Sequence, residues 1–116
     1  MTAFDLVTID SPDTDGIARF WSAALDLRVV EREDVDRWIV LADRRGVRRI
    51  GIQRGTAKPG SMHLDLACAP DDFDAELERL VKLGARELGA PRREAYGSIA
   101  NLADPDGNPF DLCAYC

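Results

Sequence analysis

The 116-residue sequence predicts an α+β fold of two tandem modules, each with the order strand, helix, strand, strand, strand. Strand-like and helix-like patterns follow this order in both halves of the chain. The connection GTAKPG at residues 55–60 separates the halves and contains glycine and proline, which favour turns. We therefore expect a single domain over residues 1–116, with module 1 at residues 1–56 and module 2 at residues 60–116.

Module 1 begins with an alternating, β-rich segment, FDLVTID, at residues 4–10. Ser-Pro-Asp at residues 11–13 signals a helix start, and the apolar residues that follow recur at the spacing of one helical face. They are Ile17, Phe20, Trp21, Ala24 and Leu25. Three strand-like segments separated by short polar turns complete the module: LRVVERE, DRWIVLAD and RRIGIQR.

Module 2 repeats this order. SMHLDLAC at residues 61–68 predicts its first strand, and APDDFDAELERLVKLG at residues 69–84 predicts its helix, which Gly84 ends. One helical face is apolar and consists of Phe73, Leu77, Leu80 and Val81. Three further strands are predicted in ARELG, YGSIANLAD and PFDLCAY.

The similarity of the halves extends to single residues. WIVLADRRG at residues 38–46 matches IANLADPDG at residues 99–107 with an offset of 61. The helix starts, Pro12-Asp13 and Pro70-Asp71, recur with an offset of 58. Two nearly equal offsets in the same order of elements indicate an internal duplication.

Composition excludes several classes of protein. Hydrophobic residues at 46% and charged residues at 31% exclude a disordered chain. No apolar segment approaches the ~20 residues of a membrane span, and the N-terminus lacks signal-peptide features, so we expect a cytoplasmic protein without membrane contact. Cys68, Cys113 and Cys116 lack zinc-site spacing and are expected to be reduced.

The charge distribution argues against nucleic-acid binding. The net charge of −6 would repel a phosphate backbone. DRRGVRR at residues 43–49 is basic, but it lies at a predicted turn between two strands and has no interleaved aromatic residues. A solvated hairpin is the favoured interpretation.

Four segments carry a resemblance to a known family: FWSAALDL, HLDL, RLVKLGAR and LADPDGNPFDL. In these segments the sequence resembles the vicinal oxygen chelate superfamily, which includes glyoxalase I, extradiol dioxygenases, and bleomycin- and fosfomycin-resistance proteins. The resemblance implies two βαβββ modules that form a curved mixed sheet around a cleft, with the helices outside, and a homodimer. It also implies divalent-metal ligands on the first and fourth strands of each module. In module 2 these positions are His63 and Asp111.

The internal repeat then suggests the corresponding residues of module 1. The offset of 58 relates His63 to Asp5, which adds a third candidate metal ligand. If the Arg48-Arg49 turn is one residue longer, Gly51 corresponds to Asp111 and offers no side chain. Gln53 lies two residues further on the same face of the strand and is a candidate for ligand binding through its amide oxygen.

Strand alternation and position suggest further ligand-binding residues. Asp65 and Cys113 are expected on the same faces as His63 and Asp111, because side chains two residues apart share a face. Asp65 alternatively orients His63, and Cys113 alternatively fills space. Trp38 and Tyr96 lie at strand beginnings, where they are candidates to line a pocket.

The residue types point to two functions. One histidine with carboxylates suits Mn, Mg, Ni, Fe(II) or Zn, and such an ion supports a lyase, isomerase or dioxygenase that acts on a small oxygenated substrate. The alternative is a metal-free protein of the bleomycin-resistance type that sequesters a small molecule in an acidic cleft. A typical glyoxalase I is not expected because its ligand set is not reproduced. The residues do not identify a catalytic acid or base.

Overall fold

The computed structural model describes residues 1, 3–60 and 63–115. The contacts within the chain divide it into two compact units, Met1–Ala57 and Lys58–Cys116. Each unit contains one long helix and its own mixed sheet. The predicted α+β class with two strand–helix–strand modules is confirmed.

The first unit contains a four-stranded sheet and one helix. Its elements are β1 (Val7–Ser11), α1 (Thr14–Leu25), β2 (Arg28–Glu33), β3 (Trp38–Ala42) and β4 (Arg48–Arg54). The strand order is β1-β4-β3-β2, with β1 parallel to β4 and the remaining pairs antiparallel. The helix packs against the sheet and buries Ile17 and Trp21, as its apolar period predicts.

Local polar groups determine where α1 begins. The Asp13 side chain accepts a hydrogen bond from the Gly16 backbone N–H at 3.0 Å. The Ser11 hydroxyl oxygen accepts one from the Asp13 N–H at 3.0 Å. Asp13 is therefore the N-cap, since it satisfies a donor that the first helical turn leaves unpaired.

The second unit contains a five-stranded sheet. Its elements are β5 (Leu64–Ala67), a short 3₁₀ helix (Pro70–Asp72), α2 (Phe73–Leu83), β6 (Arg86–Glu87), β7 (Arg92–Glu94), β8 (Gly97–Ala103) and β9 (Pro109–Tyr115). The strand order is β5-β9-β8-β6, and β7 also pairs with β8. The helix α2 packs against β9 and buries Phe73 and Leu80.

Two predicted strands differ from the observed ones. The first strand of module 1 was expected at residues 4–10, but β1 begins at Val7, so Asp5 precedes the strand. ARELG contributes only the two-residue β6, and the exposed segment Arg92–Glu94 forms the unpredicted strand β7. β7 pairs with β8 although none of its three residues is apolar.

The two hairpins that end the modules have the same turn. Asp43 Oδ1 accepts hydrogen bonds from the backbone N–H groups of Arg45 at 2.9 Å and Val47 at 3.0 Å. Asp104 Oδ1 accepts the equivalent bonds from Asp106 at 3.0 Å and Asn108 at 2.8 Å. The offset of 61 therefore reflects one turn structure used twice.

The basic segment at residues 43–49 forms this turn in module 1. Arg44 pairs with Asp26, Arg49 with Asp43, and Arg48 with two carboxylates. These guanidinium groups thus have partners within the protein, which agrees with a solvated hairpin. Within the described residues, neither α1 nor α2 has the length and apolar character needed to span a membrane.

Candidate metal centre

The parallel pairing of β5 with β9 brings two carboxylates side by side. Asp65 and Asp111 are direct neighbours in this pair of strands. His63 precedes Asp65 by two residues and shares its face, because side chains alternate along an extended chain. Phe110 and Leu112 alternate with Asp111 along β9 and are buried. The polar group therefore lies on the sheet face opposite these two apolar side chains.

The three side chains converge closely. His63 Nε2 lies 3.3 Å from Asp65 Oδ1 and 3.6 Å from Asp111 Oδ2. One potential ligand atom from each residue lies within 4.8 Å of the other two. Metal–ligand bonds of about 2.1 Å at 90–109° separate neighbouring ligand atoms by about 3.0–3.4 Å. The two separations from His63 Nε2 are close to that range, and all three atoms lie within 4.8 Å of one another, so these side chains could hold a divalent ion.

Exposure differs among the three. The side chain of Asp111 is 20% exposed, whereas those of His63 and Asp65 are 53% and 61% exposed. Asp111 is thus the anchored member of the group, and the other two face solvent. A small molecule from solution can reach this side of the group.

Two residues that sequence analysis missed hold Asp111 in place. Asn101 on β8 lies directly beside Asp111 on β9, and its Nδ2 donates to Asp111 Oδ1 at 2.7 Å. Arg92 on β7 donates through Nη1 to Asn101 Oδ1 at 2.6 Å, and it also contacts Glu94 at 3.3 Å. Asn101 was inside a predicted strand, but only its pairing with β9 shows that it borders Asp111.

The other candidates in module 2 lie further along the same sheet. Cys113 is two residues from Asp111 on the same face and is buried. A hydrogen bond with Cys113 raises the pKa of Tyr115 above its usual value, and the nearby charges of Cys113 and Asp65 add to the effect. Tyr96 lies 6.1 Å from Tyr115 between ring centroids, and both rings are about half exposed. Cys113 and Tyr96 therefore belong to a neighbouring patch.

The corresponding face of module 1 carries different side chains. A register shift between β3 and β4 accommodates one extra residue, so Gly51 pairs with Val40 as Asp111 pairs with Asn101. Gly51 is thus the counterpart of Asp111, as predicted. A Cβ atom at Gly51 would lie 2.5 Å from the Trp38 ring and 3.0 Å from the Leu6 side chain. The indole occupies the space that a carboxylate takes in module 2.

The proposed relation between His63 and Asp5 is wrong by one residue. Thr8 pairs with Gly51 as Asp65 pairs with Asp111, so the counterpart of His63 is Leu6. The offset of 58 applies to the helix starts, whereas the first strands are related by 57, because module 2 has one more residue before its Pro70. A shift of one residue moves a side chain to the other face of a strand.

The module 1 candidates take part in contacts of their own. Asp5 Oδ1 accepts a hydrogen bond from Arg48 Nε at 2.9 Å, and this bond is the main cause of the raised pKa of Arg48. Trp38 Nε1 donates to Glu31 Oε2 at 2.6 Å, and Glu31 also pairs with Arg48. Gln53 is exposed and lies beside Trp38 in the strand pair.

Comparison with protein families identifies the chain. The family model described as a glyoxalase-like domain matches residues 6–113. The chain belongs to this glyoxalase-like family. Comparison of the glyoxalase-like chain with curated proteins found no significant match.

Solved structures share the glyoxalase-like fold. A glyoxalase/bleomycin resistance protein/dioxygenase family enzyme from Burkholderia phytofirmans superposes with a TM-score of 0.80 at 19% identity, over 97% of this chain and 98% of that chain. The fosfomycin resistance protein FosX from Mesorhizobium loti gives 0.76 at 21%, over 99% and 92%. A mutant FosX from Listeria monocytogenes, complexed with Mn(II) and 1S,2S-dihydroxypropylphosphonic acid, gives 0.81 at 17%, over 100% and 92%.

Proposed function

We propose that this glyoxalase-like protein is a divalent-metal-dependent enzyme that acts on a small oxygenated molecule, with His63, Asp65 and Asp111 as its metal ligands. The convergence of one imidazole nitrogen and two carboxylate oxygens within 4.8 Å carries the proposal. Asp65, first expected to contact the ligand or to orient His63, thereby takes the third ligand position in place of Asp5.

The chemistry of the donors supports a hard or borderline ion. Two carboxylates and a neutral imidazole carry a charge of −2, which a divalent cation balances. Oxygen-rich donor sets with one nitrogen suit Mn, Mg, Fe(II), Ni or Zn better than ions that prefer thiolates. Mn(II) is the first ion to test because the related FosX structure contains it.

The exposed side of the group suits a reaction at adjacent oxygens. When bound, a divalent ion acts as a Lewis acid that polarises oxygens of the substrate and stabilises developing negative charge. The protein contributes three ligand atoms, one from each residue, and this number is typical of sites that leave positions open for substrate. His63 and Asp65 face solvent, so their side of the site is where the substrate enters.

Metal analysis tests the proposal directly. Wild-type protein is depleted of metal, reconstituted with Mn, Ni, Zn or Fe(II), desalted and analysed beside His63→Ala and Asp71→Asn. Asp71 is an exposed residue of the 3₁₀ helix outside the group of three, so its variant controls for a polar surface substitution elsewhere in the same module. We expect about one metal ion per chain in wild type and Asp71→Asn, and a strong loss in His63→Ala. Absence of stoichiometric metal in wild type would contradict the proposal.

A metal-free binding protein is the second candidate. One observation favours it: Leu6 and Gly51 occupy the module 1 counterparts of His63 and Asp111, so only half of the family's ligand positions carry metal-binding side chains. In that case all preparations would be free of metal. His63→Ala would then alter only the affinity for a small molecule.

The expected homodimer and cytoplasmic location also remain part of this proposal. Size-exclusion chromatography with light scattering tests the first, and a mass of one chain would contradict it. Fractionation of the source cells tests the second.

A further inference from the structure

The hydrogen bonds around Asp111 determine which of its two carboxylate oxygens is available to bind a metal ion. Asp111 Oδ1 accepts from Asn101 Nδ2 at 2.7 Å, whereas Oδ2 lies 3.6 Å from His63 Nε2. The two oxygens of this carboxylate therefore have different partners. One is held by the sheet, and the other faces the group of three residues.

The orientation of the Asn101 amide is itself determined by a neighbour. Arg92 Nη1 donates to Asn101 Oδ1 at 2.6 Å. A guanidinium has only donors, so it can pair only with the oxygen of the amide. The NH₂ group of Asn101 must then point to Asp111. In the opposite orientation, the amide nitrogen would face the Arg92 guanidinium, donor against donor, and the amide oxygen would face the Asp111 carboxylate, acceptor against acceptor.

We propose that Asn101, oriented by Arg92, is a positioning residue that holds Asp111 with Oδ1 toward the sheet and Oδ2 alone toward the metal. This proposal rests on the proposed function and extends it. Asp111 then provides one oxygen rather than two, so the protein occupies fewer coordination positions. The remaining positions are available to two adjacent oxygens of a substrate.

The hairpin offers a matched control for this arrangement. Asn108 Nδ2 donates to Asp104 Oδ2 at 2.8 Å, which is the same kind of amide–carboxylate bond in the turn that joins β8 to β9. That bond lies in the turn and involves no member of the candidate metal centre. Asn108→Ala therefore removes a comparable bond without touching the site.

Titration with Mn²⁺ alone tests the role of Asn101. The affinity of metal-free wild type, Asn101→Ala, Arg92→Ala and Asn108→Ala is measured from the electron paramagnetic resonance signal of free Mn²⁺. Loss of a residue that orients a ligand weakens metal binding by about 10–100-fold. We expect that loss of Mn²⁺ affinity in Asn101→Ala and a smaller loss in Arg92→Ala. In Asn108→Ala we expect a change below about twofold, because the bond that is removed lies in the turn and holds none of the three proposed ligands.

The outcomes separate this inference from the metal proposal. If wild type binds Mn²⁺ and the variants at Asn101 and Arg92 bind it equally well, the positioning role is overturned while the metal proposal stands. An equal loss in Asn108→Ala also overturns it, because the effect would then be general destabilisation. Arg92 is exposed on β7, so its variant provides the test if Asn101→Ala does not fold.

If wild type binds neither Mn²⁺ nor any of the other ions used for reconstitution, the proposed function fails, and a second measurement decides whether Asn101 holds Asp111. A double-mutant cycle of urea unfolding in metal-free protein compares Asn101→Ala, Asp111→Ala and the double variant. Favourable coupling between the two side chains supports the hold of Asn101 on Asp111. Additive effects overturn it.

Discussion

Within each module, strand pairing brings equivalent backbone positions together, but the side chains at these positions differ between the modules. In module 2, His63, Asp65 and Asp111 converge where β5 pairs with β9. Their counterparts in module 1 are Leu6, Thr8 and Gly51, and the Trp38 ring lies next to Gly51. The strand pairing is thus equivalent in the two modules, whereas the side chains at these positions differ. One copy carries a candidate metal centre and the other carries an apolar contact.

The largest expected difference between the copies is in metal binding. Asp111→Asn removes the carboxylate of the best anchored candidate ligand. We expect the affinity for Mn²⁺ to fall by at least about 100-fold, more than the loss typical of residues that only orient a ligand. Asp5→Asn removes the carboxylate that the sequence offset suggested. Because Leu6 rather than Asp5 corresponds to His63, we expect a change below about twofold in that variant.

Isothermal titration calorimetry with Mn²⁺ measures both variants. Urea unfolding of the same samples shows whether each variant is folded under these conditions. A large loss of affinity in Asp5→Asn would contradict the comparison between the modules.

The contact of Gly51 with Trp38 is expected to have the next largest effect. Gly51→Ala places a Cβ atom 2.5 Å from the indole ring, and the ring must move. Overpacking of this kind costs about 1–3 kcal/mol in the free energy of unfolding. Gly89→Ala is the matched control, since a Cβ there meets nothing within 4 Å.

Urea unfolding of both alanine variants measures this difference. We expect Gly89→Ala to remain within about 0.5 kcal/mol of wild type, as is usual for surface substitutions. Equal stability of Gly51→Ala and wild type would show that the Trp38 ring does not fill this position.

The smallest expected effect concerns the turn of module 1. Hydrogen bonding from the Val47 backbone, assisted by Arg49 and Arg45, lowers the pKa of Asp43 below its usual value of 3.8. A carboxylate with a lowered pKa in the folded protein contributes stability that is complete above pH 3.8 and is lost as the pH falls through the folded pKa. The urea midpoints of wild type and Asp43→Ala should therefore converge as the pH falls from 6 to about 3.

The control for this prediction is Arg45→Ala in the same turn. This substitution leaves the Asp43 carboxylate in place, so its effect on the urea midpoint should vary little between pH 6 and about 3. A difference between wild type and Asp43→Ala that stays constant from pH 6 to about 3 would contradict the role of the Asp43 carboxylate.

Much of the fold was predictable because its signals are local. The apolar spacing that predicted α1 matches the buried residues Ile17, Phe20 and Trp21. The shared LAD segment correctly identified two equivalent turns. The strand β7 was missed because Arg92–Glu94 has no apolar residue and is defined by its pairing with β8.

The candidate site was only partly predictable. His63 and Asp111 were placed on the first and last strands of module 2 by the resemblance, and Asp65 by alternation along β5. Asn101 gave no signal of its own. An asparagine in a strand gains a role only when the neighbouring strand brings a carboxylate beside it.

The sequence by itself determined both helices, most of the strands, the internal repeat and the family resemblance, since hydrophobic periods, turn residues and recurring segments can be read along the chain. The tertiary structure decided which side chains meet. Module 2 has one extra residue before α2, so the counterpart of His63 is Leu6 rather than Asp5. This single residue matters because the side-chain period of a strand is two, and a shift by one moves a side chain to the other face. Likewise, the Trp38 ring beside Gly51 and the hold of Asn101 on Asp111 depend on contacts between strands, which spacing along one strand does not specify.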